Sequence, residues 1–571
     1  MLACVAVIAV ARGGRVGPSA ALRARSSAAA FVRVKMMSTT PAMDPARWIA
    51  RFADGAADAQ TVEVTAVPKA EWKAWLAAQP ARTRGWLEAL GRGKFKPGEW
   101  TAIPTDDTGT PALRQVVVGV ENASSIWAYA SLPGSLPAGR SYRLSVVGAS
   151  AGAREATAAA LSWALGSYEY DFLKTSVVPR RVQPARPTLL WPAECDRAAV
   201  ARAATATYLC RDLITTPCEQ LGPADLERAA RDLAALHTGA TVTAVTGDAL
   251  LSANFPMIHA VGRAAGAGRE PRLVELRWGR AGAPKVALVG KGVMFDTGGL
   301  DIKPSAAMLT MKKDMGGAAH ALGLASMVMS SGLDISLRVL LPIVENSISG
   351  CAFRPGDVLV ARNGVTTEIG NTDAEGRLIL ADALVYASEE APELIIDMAT
   401  LTGASRVALG ADVPSIFSND DALARELQRL SRDEQDQVWH LPLWEGYRKQ
   451  LTGCVADLKN VGAGAYGGAI TAALYLREFV GSRALKKRAA RGGGGEGGVG
   501  VGAAAERAED EDEDEEAGGA PAAGPQWLHM DVMAYNQASS PGRPEGGEAM
   551  GMRAFFALLQ QRYGGGPPVA P

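Results

Sequence analysis

The sequence predicts an α/β protein: a smaller N-terminal α/β domain followed by a larger one. Three observations point there. Short apolar runs rich in Val, Ile and Leu recur along the chain. Longer helix-patterned stretches fall between several of them. In the larger part, polar residues gather just after the apolar runs, where open α/β sheets hold ligands. Hydrophobic residues make up 48% and charged residues 21%, ordinary values for a soluble globular chain, and 571 residues suffice for two or three domains.

The first 43 residues contain no Asp or Glu but hold Arg12, Arg15, Arg23, Arg25, Arg33 and Lys35 among serines and alanines. That composition reads as an organellar transit peptide. The apolar "LACVAVIAVA" also fits a secretory signal, yet no basic residue precedes it. Chloroplast and mitochondrion are equally compatible, with a cytoplasmic location as the alternative.

Residues 44–190 are expected to form the N-terminal domain. The runs "RQVVVGV", "SIWAYASL" and "YRLSVVG" read as strands and "AREATAAALSWALGSY" as a helix. The proline-rich "VVPRRVQPARPTLLWP" suits a linker, and "DRAAVARAATATYLCRDLITTP" a helix after it. The second domain, 191–565, has strand candidates "KVALVG", "LRVLLPIVEN", "ELIIDMAT" and "WLHMDVMAY", with "GGAAHALGLASMVMSSG" as an intervening helix. Within it, 483–524 runs from a basic cluster through a glycine tract to an acidic block. Such a composition cannot bury a core, so a disordered surface loop is expected. The "GGGPPVAP" tail reads the same way.

Several function classes are disfavoured. Net charge is −1, and no broad basic patch lies outside the insert and the N-terminal segment, which argues against nucleic-acid binding. No run of 18 apolar residues exists to span a membrane. The six cysteines are scattered without a C-x-x-C pair, which fits a reducing compartment rather than a zinc ribbon or disulfide framework. None of the five histidines forms H-E-x-x-H.

The chemistry concentrates in two stretches. "LVGKGVMFDTGGLDIKPSAAMLTMKKDMGG" leaves a strand and carries Lys291, Asp296, Asp301, Lys303 and Asp314 on a glycine-rich background. It lacks G-x-x-x-x-G-K-[ST], and its acids repel phosphate unless metal is bound. "GNTDAEGRLIL" carries Asp373, Glu375 and Arg377. Carboxylates two apart converge on one side of an extended segment. With Asp296 and Asp314 they can form a cluster whose mutual repulsion raises carboxyl pKa values, and which divalent cations would relieve. The competing reading is ordinary turn acids satisfied by backbone N–H groups, with Lys291 and Lys303 in surface ion pairs.

The segments "NTDAEGRL", "GKGVMFDTGGLDIKP" and "MKKDMGGAA" resemble the leucyl aminopeptidase (cytosol aminopeptidase) family, also called M17, and "ATLTGA" and "GRPEGGEAMGMRA" extend the likeness. It covers roughly 190–482 and 525–563. It implies a catalytic domain with a central mixed sheet flanked by helices. It also implies a two-metal exopeptidase, with Lys291, Asp296, Asp314, Asp373 and Glu375 as ligands of two Mn or Zn ions. Lys303 and Arg377 would be catalytic, Arg377 holding a bicarbonate that serves as general base. Met311, Asn371, Thr400 and Gly403 would surround the substrate's first side chain, so apolar first residues, leucine among them, are expected. The resemblance further implies peptide substrates with a free N-terminus and a homohexamer. His320 and His529 are not ligands in the family, and structural roles are expected for both. Thr297 stands where many animal members have serine. The alternative is a non-catalytic scaffold, chaperone or nucleic-acid-binding protein that keeps the fold.

Overall fold

The computed structural model describes residues 46–565 apart from 56, 59, 104–112, 149–151, 175–185, 482 and 484–523. The transit-peptide segment 1–43, nearly all of the 483–524 insert and the end of the tail lie outside the described residues.

The N-terminal part is built on a six-stranded sheet in the order Phe52–Ala53, Thr188–Leu190, Ser141–Val146, Val62–Pro68, Gln115–Val120, Trp100–Ile103. All pairings are parallel except the last. Val62, Val64, Ala66, Val116 and Val118 are fully buried and pack in one apolar cluster with Trp163 of the helix Ala153–Gly166. Two expectations need correction. "SIWAYASL" is not a strand: it runs as successive turns into the short helix Leu132–Ser135. Its polar residues bond locally, with Asn122 Oδ1 accepting from Ser124 N and Ser125 Oγ from Trp127 N, which bends the chain. The proline-rich linker does not end as linker, because Thr188–Leu190 closes the small sheet.

The second sheet has nine strands. Four central ones, Gln526–Asp531, Leu394–Ala399, Lys285–Gly290 and Ser336–Asn346, are mutually parallel. Antiparallel neighbours flank them, Ser415–Ser418 on one side and Arg272–Gly279 on the other, and Thr241–Thr246 pairs antiparallel with Arg272–Gly279 beyond it. The sheet is therefore mixed. Its four central strands are apolar on both faces because helices cover both, while the edge strand Thr241–Thr246 is partly exposed. Val286, Leu288, Leu394 and Ile396 join the core shared with the helices Arg197–Thr215 and Gly316–Ser331. Their alternates Ala287, Val289 and Ile395 face the core shared with the helix Gly376–Ser388. Asp196 caps the first of these helices by accepting from Ala199 N, and Gly332, in the left-handed region, ends the second. His320 lies in the core, its Nδ1 on Gly316 O and its Nε2 accepting from Met550 N. His529 pairs with Asp397 inside the sheet.

The insert is bracketed by a contact. A Cβ on Gly481 would lie 2.9 Å from Pro525 Cδ, so the chain departs and returns at one spot. A small three-stranded sheet pairs Thr366–Glu368 in parallel with Leu458–Lys459 and so carries Asn460 beside Gly370.

Candidate metal and catalytic site

The central parallel strands all end on one side. Lys291 follows Gly290, Thr400 follows Ala399, and Asn346 and Asp531 close their own strands. Asp296 ends Gly292–Asp296, which runs parallel to Ser336–Asn346. Asp314 sits on the 3₁₀ turn Met311–Met315. Glu375 is the N-cap residue of Gly376–Ser388. The loop-and-helix residues thus meet the strand ends at the place where open parallel sheets hold ligands.

Asp296, Asp314 and Glu375 are buried and offer carboxylate oxygens within 4.8 Å of one another. Lys291 lies among them, its Nζ 2.8 Å from Asp314 Oδ2 and 2.9 Å from Glu375 Oε1, and it donates to Thr400 O at 3.1 Å. Those two carboxylate oxygens are buried yet accept no well-directed hydrogen bond. The Lys291 ammonium is the cation that faces both of them here, and the same oxygens would turn to a metal ion if Lys291 gave up its proton. Asp296 is oriented by Gly298 N at 2.8 Å and Asn346 Nδ2 at 2.9 Å. Thr400 Oγ1 donates to Asp314 Oδ1 at 2.7 Å.

Asp373 stands at the rim. Its side chain is 33% exposed and pairs with Lys303, whose Nζ also lies 2.8 Å from Asp296 Oδ2. The expectation of an extended segment with Asp373 and Glu375 on one side is not met. Asn371 Oδ1 accepts from Asp373 N at 2.7 Å and bends the chain into a turn, and the helix already starts at Gly376, ahead of the apolar "LIL". The two acids still converge on the same ammonium-rich site through turn and cap.

Charge crowding shows in the titration. Burial and the Asp296 charge push Glu375 up to about 8, and the same two causes push Asp373 up to about 6. Burial works against the Lys291 ammonium, but Asp314, Glu375 and Asp296 outweigh it and hold it above the usual lysine value. Lys303 is raised likewise, against burial, by Asp296 and Asp373. Arg377, in the first turn of the helix, is buried and lowered by that burial. One guanidinium nitrogen donates to Asn460 O, while its Nε has no partner among the described residues.

The pocket residues named from the sequence surround this cluster unequally. Met311 is buried on the same turn as Asp314. Asn371 is half-buried, with its backbone O accepting from Asn460 Nδ2 at 2.7 Å. Thr400 is held by Asp314 and Lys291, and Gly403 is the exposed first residue of the helix Gly403–Leu409. Sequence reasoning missed Asn346, Thr372 and Asn460. Thr372 ties the two acidic loops together, donating to Gly298 O at 2.6 Å and accepting from Asp301 N at 2.9 Å.

Comparison with known proteins decides the family. Residues 208–489 match the cytosol aminopeptidase family catalytic domain, and 62–181 match the M17 aminopeptidase N-terminal domain. A probable cytosol aminopeptidase of Geobacter sp. (strain M21) is 35% identical over 420 residues, 72% of this chain and 76% of that one. The chain belongs to the cytosol aminopeptidase family. Among solved structures, the cytosol aminopeptidase from Coxiella burnetii is 39% identical with a TM-score of 0.75, covering 90% of this chain and 99% of that one. The bottromycin maturation enzyme BotP, in complex with Mn, is 31% identical with a TM-score of 0.69, covering 88% and 100%. A probable cytosol aminopeptidase of Chlamydia abortus is 44% identical over 278 residues, 48% of this chain. That match spans 55% of the relative, about half its length. The acidic segments around Asp296, Asp314, Asp373 and Glu375 lie in the matched catalytic domain. No helix among the described residues is long and apolar enough to cross a membrane.

Proposed function

We propose that this protein is a metal-dependent aminopeptidase that removes the first residue of peptides with a free N-terminus. The observation that carries the reading is the trio Asp296, Asp314 and Glu375, buried within 4.8 Å of one another with oxygens that lack directed donors. Hard oxygen ligands suit Mn, and Zn also accepts them. BotP in complex with Mn supports the choice of metal by kinship. Asp296, Asp314, Asp373, Glu375 and a deprotonated Lys291 would hold two divalent cations. Once bound, such cations polarise the scissile carbonyl and make water nucleophilic near neutral pH.

The chain's own groups do the rest. Lys303, which pairs with Asp296 and Asp373 in this fold, would donate to the carbonyl oxygen as negative charge develops there. Arg377 keeps an Nε with no hydrogen-bond partner among the described residues, and its planar fork suits a flat anion such as bicarbonate, the proposed general base. Met311, Asn371, Thr400 and Gly403 would receive the first side chain, with Met311 as an apolar wall. A homohexamer remains the expected assembly by kinship. The bacterial cytosol aminopeptidases among its relatives support the cytoplasmic alternative, whereas the organellar reading rests on residues 1–43.

The test is hydrolysis of leucyl and other aminoacyl 4-nitroanilides by the purified protein loaded with Mn or Zn. Turnover that vanishes with chelator and with N-acetylated substrate is the expected result. A fully loaded protein inert toward every free-amine substrate would overturn the reading.

A further inference from the structure

On the sheet face away from the helix Gly376–Ser388, four helices leave a cavity of about 160 Å³ between them. Leu161 comes from Ala153–Gly166 of the N-terminal part, Arg202 from Arg197–Thr215 and Met327 from Gly316–Ser331. Arg553 and Phe556 come from the C-terminal helix Met552–Tyr563. Leu161, Met327 and Phe556 belong to one apolar core, where polar atoms are ordinarily paired.

Two guanidinium groups there are not fully paired. Arg553 is 5% exposed, and its Nε is buried with no hydrogen-bond partner among the described residues. Its Nη2 donates to Gln435 O at 3.3 Å and lies 3.5 Å from Asp436 Oδ1. Asp436 is itself occupied, accepting from Gly551 N and Arg553 N, each at 2.8 Å. Arg202 Nε is likewise buried and without a partner among the described residues. Its guanidinium carbon lies 5.9 Å from the Phe556 ring centroid. Two buried N–H donors on cations therefore lack acceptors beside one small cavity, which costs free energy until something accepts from them.

Charge and size name the class of acceptor. The charged residues that line the cavity are two arginines and one carboxylate, Glu434, which makes no ion pair with either among the described residues. Pockets for drug-sized ligands run to about 300–1,000 Å³. This one holds the volume of about five waters at about 30 Å³ each. A nucleotide or a peptide is too large for it, and an inorganic oxyanion with a water or two is not. We propose that the cavity binds one small inorganic oxyanion, phosphate or sulfate, with Arg202 Nε and Arg553 Nε donating to two of its oxygens. The ion links Arg197–Thr215 to Met552–Tyr563, and Ala153–Gly166 forms one wall, so its binding stabilises the junction of the N-terminal part with the catalytic domain.

The experiment is calorimetric titration of the full chain, Mn-loaded for sodium sulfate and sodium acetate and metal-free for sodium phosphate, with chloride holding ionic strength constant. One saturable site for sulfate or phosphate is expected, and the tighter of the two names the ion. Arg202→Met keeps an unbranched side chain beside Phe556 and should weaken that binding by about 10- to 100-fold, as loss of a charged hydrogen bond does. Glu434→Gln removes the negative charge from the lining and should tighten binding by about twofold or more. It also decides the matter if Arg202→Met fails to fold. The thermal midpoint of the wild type should rise with sulfate more than that of Arg202→Met, a comparison that removes the general stabilising effect of sulfate. Absence of a saturable site in the wild type overturns the proposal. So does an affinity unmoved by both variants, which would place the ion elsewhere, as at Arg377. Acetate bound as tightly as both inorganic ions overturns the inorganic class. None of these outcomes bears on the aminopeptidase reading, which rests on other residues.

Discussion

At the residue scale the site is a problem of excess negative charge, and titration follows from it. Glu375 is pushed up to about 8 in the metal-free fold, first by burial and then by Asp296. A raised acid contributes stability that is complete below its unfolded value and is lost as pH rises through the folded value. The metal-free protein should therefore lose stability through this group between its unfolded value of 4.5 and about 8. Glu375→Gln should flatten that part of the slope. Urea unfolding of both proteins in chelator, across about pH 5 to 8, measures it; parallel slopes would refute the assignment. Much of this site was legible because its members are titratable. Asp296, Asp314, Asp373 and Glu375 are carboxylates near strand ends or glycine-rich turns, so a cluster of them could be inferred, whereas Lys291 was legible as a site residue only through the family resemblance. Asn346, Thr372 and Asn460 were not legible. Their amide and hydroxyl groups orient the acids without any charge pattern that marks them in sequence.

At the element scale the helix Gly376–Ser388 matters for how it begins. A Cβ on Gly376 would sit 2.7 Å from Lys291 Nζ, so only glycine lets the lysine cross the helix start to reach Asp314 and Glu375. In an ordinary helix Gly→Ala is favourable by up to about 1 kcal/mol. Here Gly376→Ala should displace the ammonium and weaken Mn binding by about 10- to 100-fold, the range found when a ligand's support is lost. Calorimetric titration with Mn checks it, and wild-type affinity would show that Lys291 has room to move. The four central sheet strands were legible as apolar runs, since both their faces are buried, whereas flanking strands such as Thr241–Thr246, partly exposed and rich in Thr, were not. "SIWAYASL" was misread because its alternating apolar residues mimic a strand while Asn122 and Ser125 bond locally. The two-residue spacing of Asp373 and Glu375 mimics an extended segment, but Asn371 accepts from Asp373 N and turns the chain there.

At the scale of the whole molecule, a buried pair ties the C-terminal segment to the catalytic core. Arg211 Nε donates to Glu548 Oε1 at 2.9 Å and Nη2 to Oε2 at 3.0 Å, and both side chains are essentially inaccessible. Glu548→Ala strands a buried guanidinium and should cost about 3–5 kcal/mol, read from denaturant unfolding. A cost under about 1 kcal/mol would mean that Gly542 O, which also accepts from Arg211, suffices alone. The contact of Gly481 with Pro525 carries a further prediction. Replacing 484–523 by a short Gly/Ser linker should leave the unfolding midpoint and the anilide turnover unchanged within about twofold, because the two ends are already adjacent. Loss of either would give the insert a structural part to play. The sequence marked that insert by composition, but not that its ends touch, which depends on two residues 44 positions apart. Two ends that meet form a doorway in the surface. A foreign domain whose own termini lie close together could be fused there, and the unfolding midpoint of the host would report whether the guest strains the junction.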